Sequence, residues 1–228
     1  MSNSQSRATR AVRAALETDT QHGAVVPPIH LTSTYAFKSF GVKGAYDYTR
    51  SGNPTRDALA EAIAQLEGAH GAVVTATGMA AVTLVTHLFR SDDLIVAPHD
   101  CYGGTYRLFD SLARRGSLRV EFVDQTDEAA VDTALAKGPK LVWVETPSNP
   151  LLRIVDIASL AAKAHARGAP LLADNTFLSP VWQQPLALGH ALPGGGGVIG
   201  QAEQARVHAR LQRETRAHHV GDHGVDGA

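Results

Sequence analysis

An alternating pattern constrains this chain more than any other feature. Between positions 61 and 177, short apolar runs take turns with stretches of helical length. The strand-like runs fall at 72–75, 94–97, 118–123, 141–144 and 171–173. Helix-like stretches separate them at 79–89, 105–114, 128–136 and 157–166, the last closed by Gly168 as a carboxyl-terminal cap. Repeated β-then-α units of this length predict a mostly parallel sheet sandwiched between helices. The strands lack polar alternation, as expected of strands buried on both faces.

Composition suits a packed globular core, in one large domain or two small ones, and removes several functional classes. The chain has 228 residues, of which 44% are apolar, and its formal net charge is -1. Charges of both signs are interspersed, which gives no electrostatic reason to expect nucleic acid or a membrane as partner. No run approaches the roughly 18 consecutive apolar residues of a membrane span. The single cysteine, Cys101, rules out an internal disulfide and fits a reducing compartment, so a cytoplasmic location is expected. Arg7, Arg10 and Arg13 precede the first acid, Glu17, and share the basic character of a transit peptide. Without an apolar segment or a cleavage pattern after them, an amphipathic lead-in helix is the expectation.

In an open parallel sheet, ligands bind beyond the carboxyl ends of the strands. The segments found there are polar or rich in glycine. Thr77-Gly78-Met79-Ala80 follows the first strand, His99-Asp100-Cys101-Tyr102-Gly103-Gly104 the second, Glu145-Thr146-Pro147-Ser148-Asn149-Pro150 the fourth and Asp174-Asn175-Thr176 the last. The Gly78-Met79 turn opens a helix, so its N–H groups can face an anion or simply turn the chain. Asp174 ends an apolar strand; it either meets a cation or caps the next turn of the chain. Tyr102, beside two glycines, can stack on a planar ring or plug the helix start. Local sequence leaves each of these pairs open.

Taken together, the segments resemble a known family. Tyr48-Thr49-Arg50-Ser51-Gly52-Asn53-Pro54-Thr55, the stretch from Ala97 through Arg107, Glu145-Thr146-Pro147-Ser148-Asn149-Pro150 and Asp174-Asn175-Thr176-Phe177 are similar, in order and spacing, to motifs of the Cys/Met-metabolism enzymes that use pyridoxal 5′-phosphate (PLP). The likeness runs from about residue 8 to residue 189, and Val26-Pro27-Pro28-Ile29-His30-Leu31 places it near the bacterial cystathionine γ-synthase branch. The resemblance implies a PLP-dependent transferase-like α/β fold (fold type I, aspartate aminotransferase-like), here truncated. It implies that Gly78 and Met79 bind the cofactor phosphate, that Tyr102 stacks on the pyridine ring and that Asp174 pairs with the ring nitrogen. Asn149 would lie near the 3′-hydroxyl or the substrate carboxylate, and Thr176 would join the cofactor site. Tyr48 and Arg50 would reach the phosphate held by a neighbouring subunit, in a homo-oligomer built as a dimer of dimers. Asp47 and Arg107 would line the far end of a small amino-acid substrate. No metal is implied.

The pattern then breaks. The family's Schiff-base lysine lies in a Ser-x-Thr-Lys segment about two dozen residues beyond the position of Asp174, near Val198 and Ile199 here, and the last lysine of this chain is Lys163. Residues 190–228 hold eight glycines, five histidines and four arginines, with no aromatic residue except histidine and no lysine. That composition predicts a poorly ordered tail. Within it, Gly195-Gly196-Gly197-Val198-Ile199-Gly200 matches G-x-G-x-x-G but follows no strand-like run, so dinucleotide binding is not expected. His218, His219, Asp222 and His223 could be metal ligands, yet Gly221 and Gly224 weaken any helix there and a solvated tail is the expectation.

The expected organisation is therefore an arm over 1–60, an incomplete cofactor-binding domain over 61–189 and a divergent tail over 190–228. A frameshift or truncation after Gly189 is the expected origin of the break. The expected lineage activity is γ-replacement, joining O-succinylhomoserine to cysteine as cystathionine, with sulfhydrylation of homoserine esters and cystathionine γ- or β-elimination as alternatives. Without its lysine the chain itself is expected to be inactive, or to persist as a non-catalytic fragment.

Overall fold

A computed structural model of the chain describes residues 6–16, 19–189, 197–200 and 204–205. Helix α1 (Arg7–Arg13) opens the fold and is capped by the Ser6 hydroxyl, which accepts from the Thr9 amide at 3.1 Å. An extended arm leads to α2 (Pro54–Glu67). The order from there is β1 (Val73–Val74), α3 (Gly78–Thr86), β2 (Leu94–Pro98), α4 (Gly103–Arg114), β3 (Arg119–Val123), α5 (Glu128–Leu135), β4 (Leu141–Glu145), α6 (Ile157–Ala166) and β5 (Leu171–Asp174). Short helices α7 (Ser179–Trp182) and α8 (Pro185–Leu188) come next, then β6 (Gly197–Gly200) and β7 (Gln204–Ala205).

The strands form one seven-stranded sheet in the order β1-β7-β6-β5-β4-β2-β3. Strands β2 to β6 pair in parallel, while β7 runs antiparallel to both of its neighbours. The burial pattern explains why the central strands are continuously apolar. Val96, Val142, Val144, Leu171 and Ala173 pack on one face with Val131 of α5 and Leu160 of α6. The alternate residues Ile95, Ala97, Leu141, Trp143 and Leu172 pack on the other with Val82 and Val85 of α3 and Phe109 of α4. Trp143 and Phe109 are fully buried and meet edge to face, with ring centroids 5.2 Å apart. Pairs of this kind contribute about 0.5–1.5 kcal/mol beyond the area they bury.

Helix ends obey the chemistry of their caps. Asp127 and Asp156 each accept two backbone N–H bonds at the starts of α5 and α6. Gly168 closes α6 with φ +73°, a conformation that costs glycine little. Asn53 caps α2 through Oδ1 while its Nδ2 donates to the His30 carbonyl, the Tyr35 hydroxyl and Thr49, so one buried side chain anchors the arm to the domain. Helix α2 crosses position 60, which places the structural end of the arm before Pro54.

Within the stretch whose composition predicts a poorly ordered tail, residues 197–200 pair with β5 and residues 204–205 pair with β1. Without this the side of β5 facing away from β4 would present unpaired backbone N–H and C=O groups. Ladder bonds are made by backbone, so a glycine-rich segment with only Val198 and Ile199 to favour a strand can still occupy that edge. Gly195, Gly196, His218, His219, Asp222 and His223 lie outside the described residues. No helix among the described residues is long and apolar enough to cross a membrane, and none of their His, Cys, Asp and Glu side chains group as a metal site.

Candidate functional site

The parallel register brings two carboxylates together. Glu145 ends β4, Asp174 ends β5, and the two residues are direct partners in the ladder. Both are buried, at 5% and 8% exposure. Asp174 Oδ1 accepts from the Thr176 hydroxyl at 2.6 Å and the Thr176 amide at 3.1 Å. Among the described residues, Oδ2 of Asp174 receives no hydrogen bond. Burial pushes the Asp174 carboxyl above its ordinary range, against the two bonds from Thr176. Glu145 is pushed up to about 7, first by burial and then by the proximity of Asp174 and Asp100.

The neighbouring loops close over these acids. Glu145 Oε2 accepts from the Tyr102 amide and Oε1 from the Asn149 amide, each at 2.8 Å. Asp100 Oδ2 accepts from the Ser148 hydroxyl at 2.7 Å, and the Arg153 guanidinium lies 3.9 Å from the same oxygen. Cys101, buried beside these acids, has its thiol pushed up to about 12 and is inert as a nucleophile. The Gln183 side chain donates to Oδ1 of buried Asn175 at 2.9 Å and to the Thr146 carbonyl at 3.1 Å, which ties the end of β5 to the loop after β4.

Thr77 accepts the Ala80 amide at the start of α3. The Gly78 and Met79 amides, at the first two helical positions, have no partner within the helix, and a Cβ at Gly78 would meet nothing within 4 Å. That leaves an open, electropositive helix end suited to a phosphate. Tyr102 stands at the start of α4, its side chain 45% exposed. Its ring lies so close over Gly104 that a Cβ there would come within 2.4 Å of it, and the same Cβ would approach the Met79 sulfur at 2.9 Å. Gly104 thus admits an aromatic face beside the helix end.

These groups suit a phosphorylated, cationic aromatic ring. The helix end supplies donors for the phosphate and Tyr102 supplies a ring face. The under-satisfied Asp174 offers a buried carboxyl oxygen suited to a ring N–H. A matching amine is missing. Lys43, Lys137 and Lys163 pair with Asp47, with Glu121, and with Glu128 and Asp132; Lys38 and Lys140 are exposed. Val198 and Ile199, where the sequence spacing would put the lysine, fall on β6, and Ile199 is in register with Asp174.

Other expected site residues lie apart from this cluster. Tyr48 is 43% exposed in the arm, with the Arg50 guanidinium 5.3 Å from its ring centre. Asp47 is occupied locally by Lys43, the Ser51 hydroxyl and the Tyr48 amide. Arg107 is exposed on α4, its guanidinium beside Gly103. Among the described residues none of these four bonds to Glu145 or Asp174. Glu145, which sequence reasoning places only within a motif, is the residue it missed. Its signal was the one that flagged Asp174, an acid closing an all-apolar strand.

The family described as Cys/Met metabolism PLP-dependent enzyme matches residues 8–192. The chain belongs to this family. It is 62% identical over 184 residues to the cystathionine gamma-synthase of Escherichia coli K12, covering 80% of this chain and 48% of that one. It is 44% identical over 182 residues to the cystathionine gamma-lyase of Dictyostelium discoideum, covering 79% and 47%. The crystal structure of cystathionine gamma synthase from Xanthomonas oryzae pv. oryzae, in complex with aminoacrylate and cysteine, superposes with a TM-score of 0.81 at 49% identity. That match covers 86% of this chain and 50% of the other. The chain spans about half the length of the relatives it matches. As a family member it is of a PLP-dependent lineage, with the parallel sheet and flanking helices of its structural neighbours.

Proposed function

We propose that this chain carries the cofactor-binding half of a γ-replacement enzyme joining O-succinylhomoserine to cysteine to give cystathionine. The 62% identity to a cystathionine gamma-synthase is the observation that carries the reading. When bound, PLP supplies an electron sink for charge developing on the substrate carbon. The residues of the chain bind and orient it. The Gly78 and Met79 amides hold the phosphate, Tyr102 covers the ring and Asp174 keeps the ring nitrogen protonated. Thr176 fixes the Asp174 carboxylate, and Asn149 faces the ring hydroxyl or the substrate carboxylate. Tyr48 and Arg50 reach the phosphate in a second copy of the chain, within a dimer or a dimer of dimers. Asp47 and Arg107 stand toward the far end of the substrate, and the setting is cytoplasmic.

Alone, the chain binds PLP but has no lysine to hold it covalently, so it is catalytically incomplete. Titration with PLP, followed by visible absorption and circular dichroism, tests both statements. Saturable binding without a borohydride-fixed adduct or cystathionine formation is expected. An adduct with turnover would overturn the incompleteness, and absence of binding would overturn the cofactor assignment. The 44% identity to a gamma-lyase favours elimination as a second reading. A chimera of residues 1–189 with the remaining half of the E. coli synthase separates the two. Formation of cystathionine supports replacement; faster cleavage of added cystathionine supports elimination.

A further inference from the structure

Glu145 has no role in the assignments above, yet it occupies the centre of the site. It ends β4, whose neighbours are β2 on one side and β5 on the other. The loop after β2 carries Tyr102 and the loop after β4 carries Asn149, and Glu145 gives one carboxylate oxygen to the backbone amide of each, both at 2.8 Å. We propose that Glu145 is the positioning residue of the site, a brace that ties these two loops together and so sets Tyr102 and Asn149 over the cofactor ring. The proposal rests on the cofactor assignment for its purpose and on the two hydrogen bonds for its geometry.

Two further observations support a brace over simple packing. A carboxylate offers two acceptor oxygens, whereas an amide of the same size offers only one. Each oxygen of Glu145 is used on a different loop, so the bonding requires the acid. The location is also unfavourable for an acid. Asp174 is its ladder partner, and Asp100 is close enough to raise its affinity for a proton. A second clasp between the same loops, Ser148 to Asp100 at 2.7 Å, lies beside the first. The Ser148–Asp100 clasp joins side chains, while Glu145 reaches the backbone of Tyr102 and Asn149. Tyr102 has no side-chain cap of its own to hold it at the start of α4. Glu145 touches neither cofactor nor substrate in this arrangement and acts through the loops.

Amide hydrogen exchange of the chain without cofactor tests the brace directly. Glu145→Gln is expected to accelerate exchange at Tyr102 or Asn149 by about tenfold, and Glu145→Ala at both, as loss of a charge-assisted bond implies. Amides within β4 and β5 should stay protected. PLP affinity should fall about tenfold in the Ala variant, while competition by inorganic phosphate, which needs only the α3 end, should not change. Unchanged exchange at both amides would overturn the proposal. So would equal loss of PLP and phosphate binding, the sign of general collapse. If the Gln variant does not fold, Glu145→Asp keeps the charge on a shorter arm and takes its place; loss of fold in both makes Glu145 a structural residue and overturns the brace. Failure of the unaltered chain to bind PLP would strike the cofactor assignment and leave the exchange result standing.

Discussion

The strand-end cluster and the N-terminal arm present their functional groups in opposite ways. Asp174 and Glu145 sit at 8% and 5% exposure, on strands whose register is fixed by a core packed on both faces. Tyr48 is 43% exposed, and Phe40, Leu31 and Ile29 of the same arm lie largely in solvent. Burial gives the first region its chemistry, because removing water makes an unpaired carboxylate seek a cation. The arm instead leaves its groups exposed to solvent. Under the proposed assignment, one half of the site is built within this chain, and the other half would come from a second copy.

The sharpest way to break that comparison is to damage the support beneath the cluster. Trp143→Ala removes a fully buried ring packed against Phe109 and should cost about 3–5 kcal/mol, read as a fall in the denaturation midpoint. PLP binding should be lost with it. Next in size is Asp174→Asn, which keeps the shape and removes the charge proposed to face the ring nitrogen. PLP affinity should fall by about 10–100-fold, the cost of one charged hydrogen bond, while thermal stability holds or rises. Loss of stability together with unchanged binding would show that Asp174 serves the fold alone.

A pH series sharpens the same contrast. The carboxyl of Glu145 is raised to about 7 and that of Asp174 is also raised, both mainly by burial. A group with a raised folded-state pKa gives stability that is complete below its unfolded value and lost as pH rises through the folded one. Stability should therefore decline from about pH 5 to about pH 7 and then level off. The groups facing Glu145 are Asp174 from β5, Asp100 and Cys101 from the loop after β2, and the two backbone amides. The charges of Asp174 and Asp100 reinforce the effect of burial, and the two amide bonds oppose it. The surface acids Asp47 and Asp124 have lowered pKa values and lose their contribution only as pH falls through the acidic range, outside this window. Glu145→Gln should flatten the decline in melting temperature between pH 5 and 8, and an unchanged slope would assign it to another group.

How much of this was readable in the chain depends on where each signal resides. The strands at 94–98, 141–145 and 171–174 were legible because both faces are buried and every residue is apolar until the terminal acid or proline. Asp174 stood out for the same reason. The bonds of Glu145 were not legible, since they depend on how two loops return over the sheet, and the donors are backbone amides that any residue would supply. The approach of the Tyr102 ring to Gly104 was hidden too; the sequence shows the glycines but not which atom needs the space. Strands β6 and β7 were hard to read, because Val198 and Ile199 are their only strand-favouring residues, and the ladder itself is made by backbone groups.

The smallest expected effect tests the arm. Arg50 is exposed, and its guanidinium lies over the Tyr48 ring, so it contributes little to this chain's own fold. Arg50→Ala should change stability by no more than about 0.5 kcal/mol, as surface substitutions generally do. Its consequence should appear only where two chains meet. An Arg fork suits a phosphate with two parallel donors, and its loss should weaken PLP binding in an oligomer while leaving a diluted monomer unaffected. Light scattering with PLP titration at high and low protein concentration makes the distinction. If Arg50→Ala weakens binding equally at both concentrations, the arm completes the site of its own chain. If it weakens binding only at high concentration, the division between a self-contained cluster and a shared arm holds, and the cofactor phosphate is the point where the two regions join.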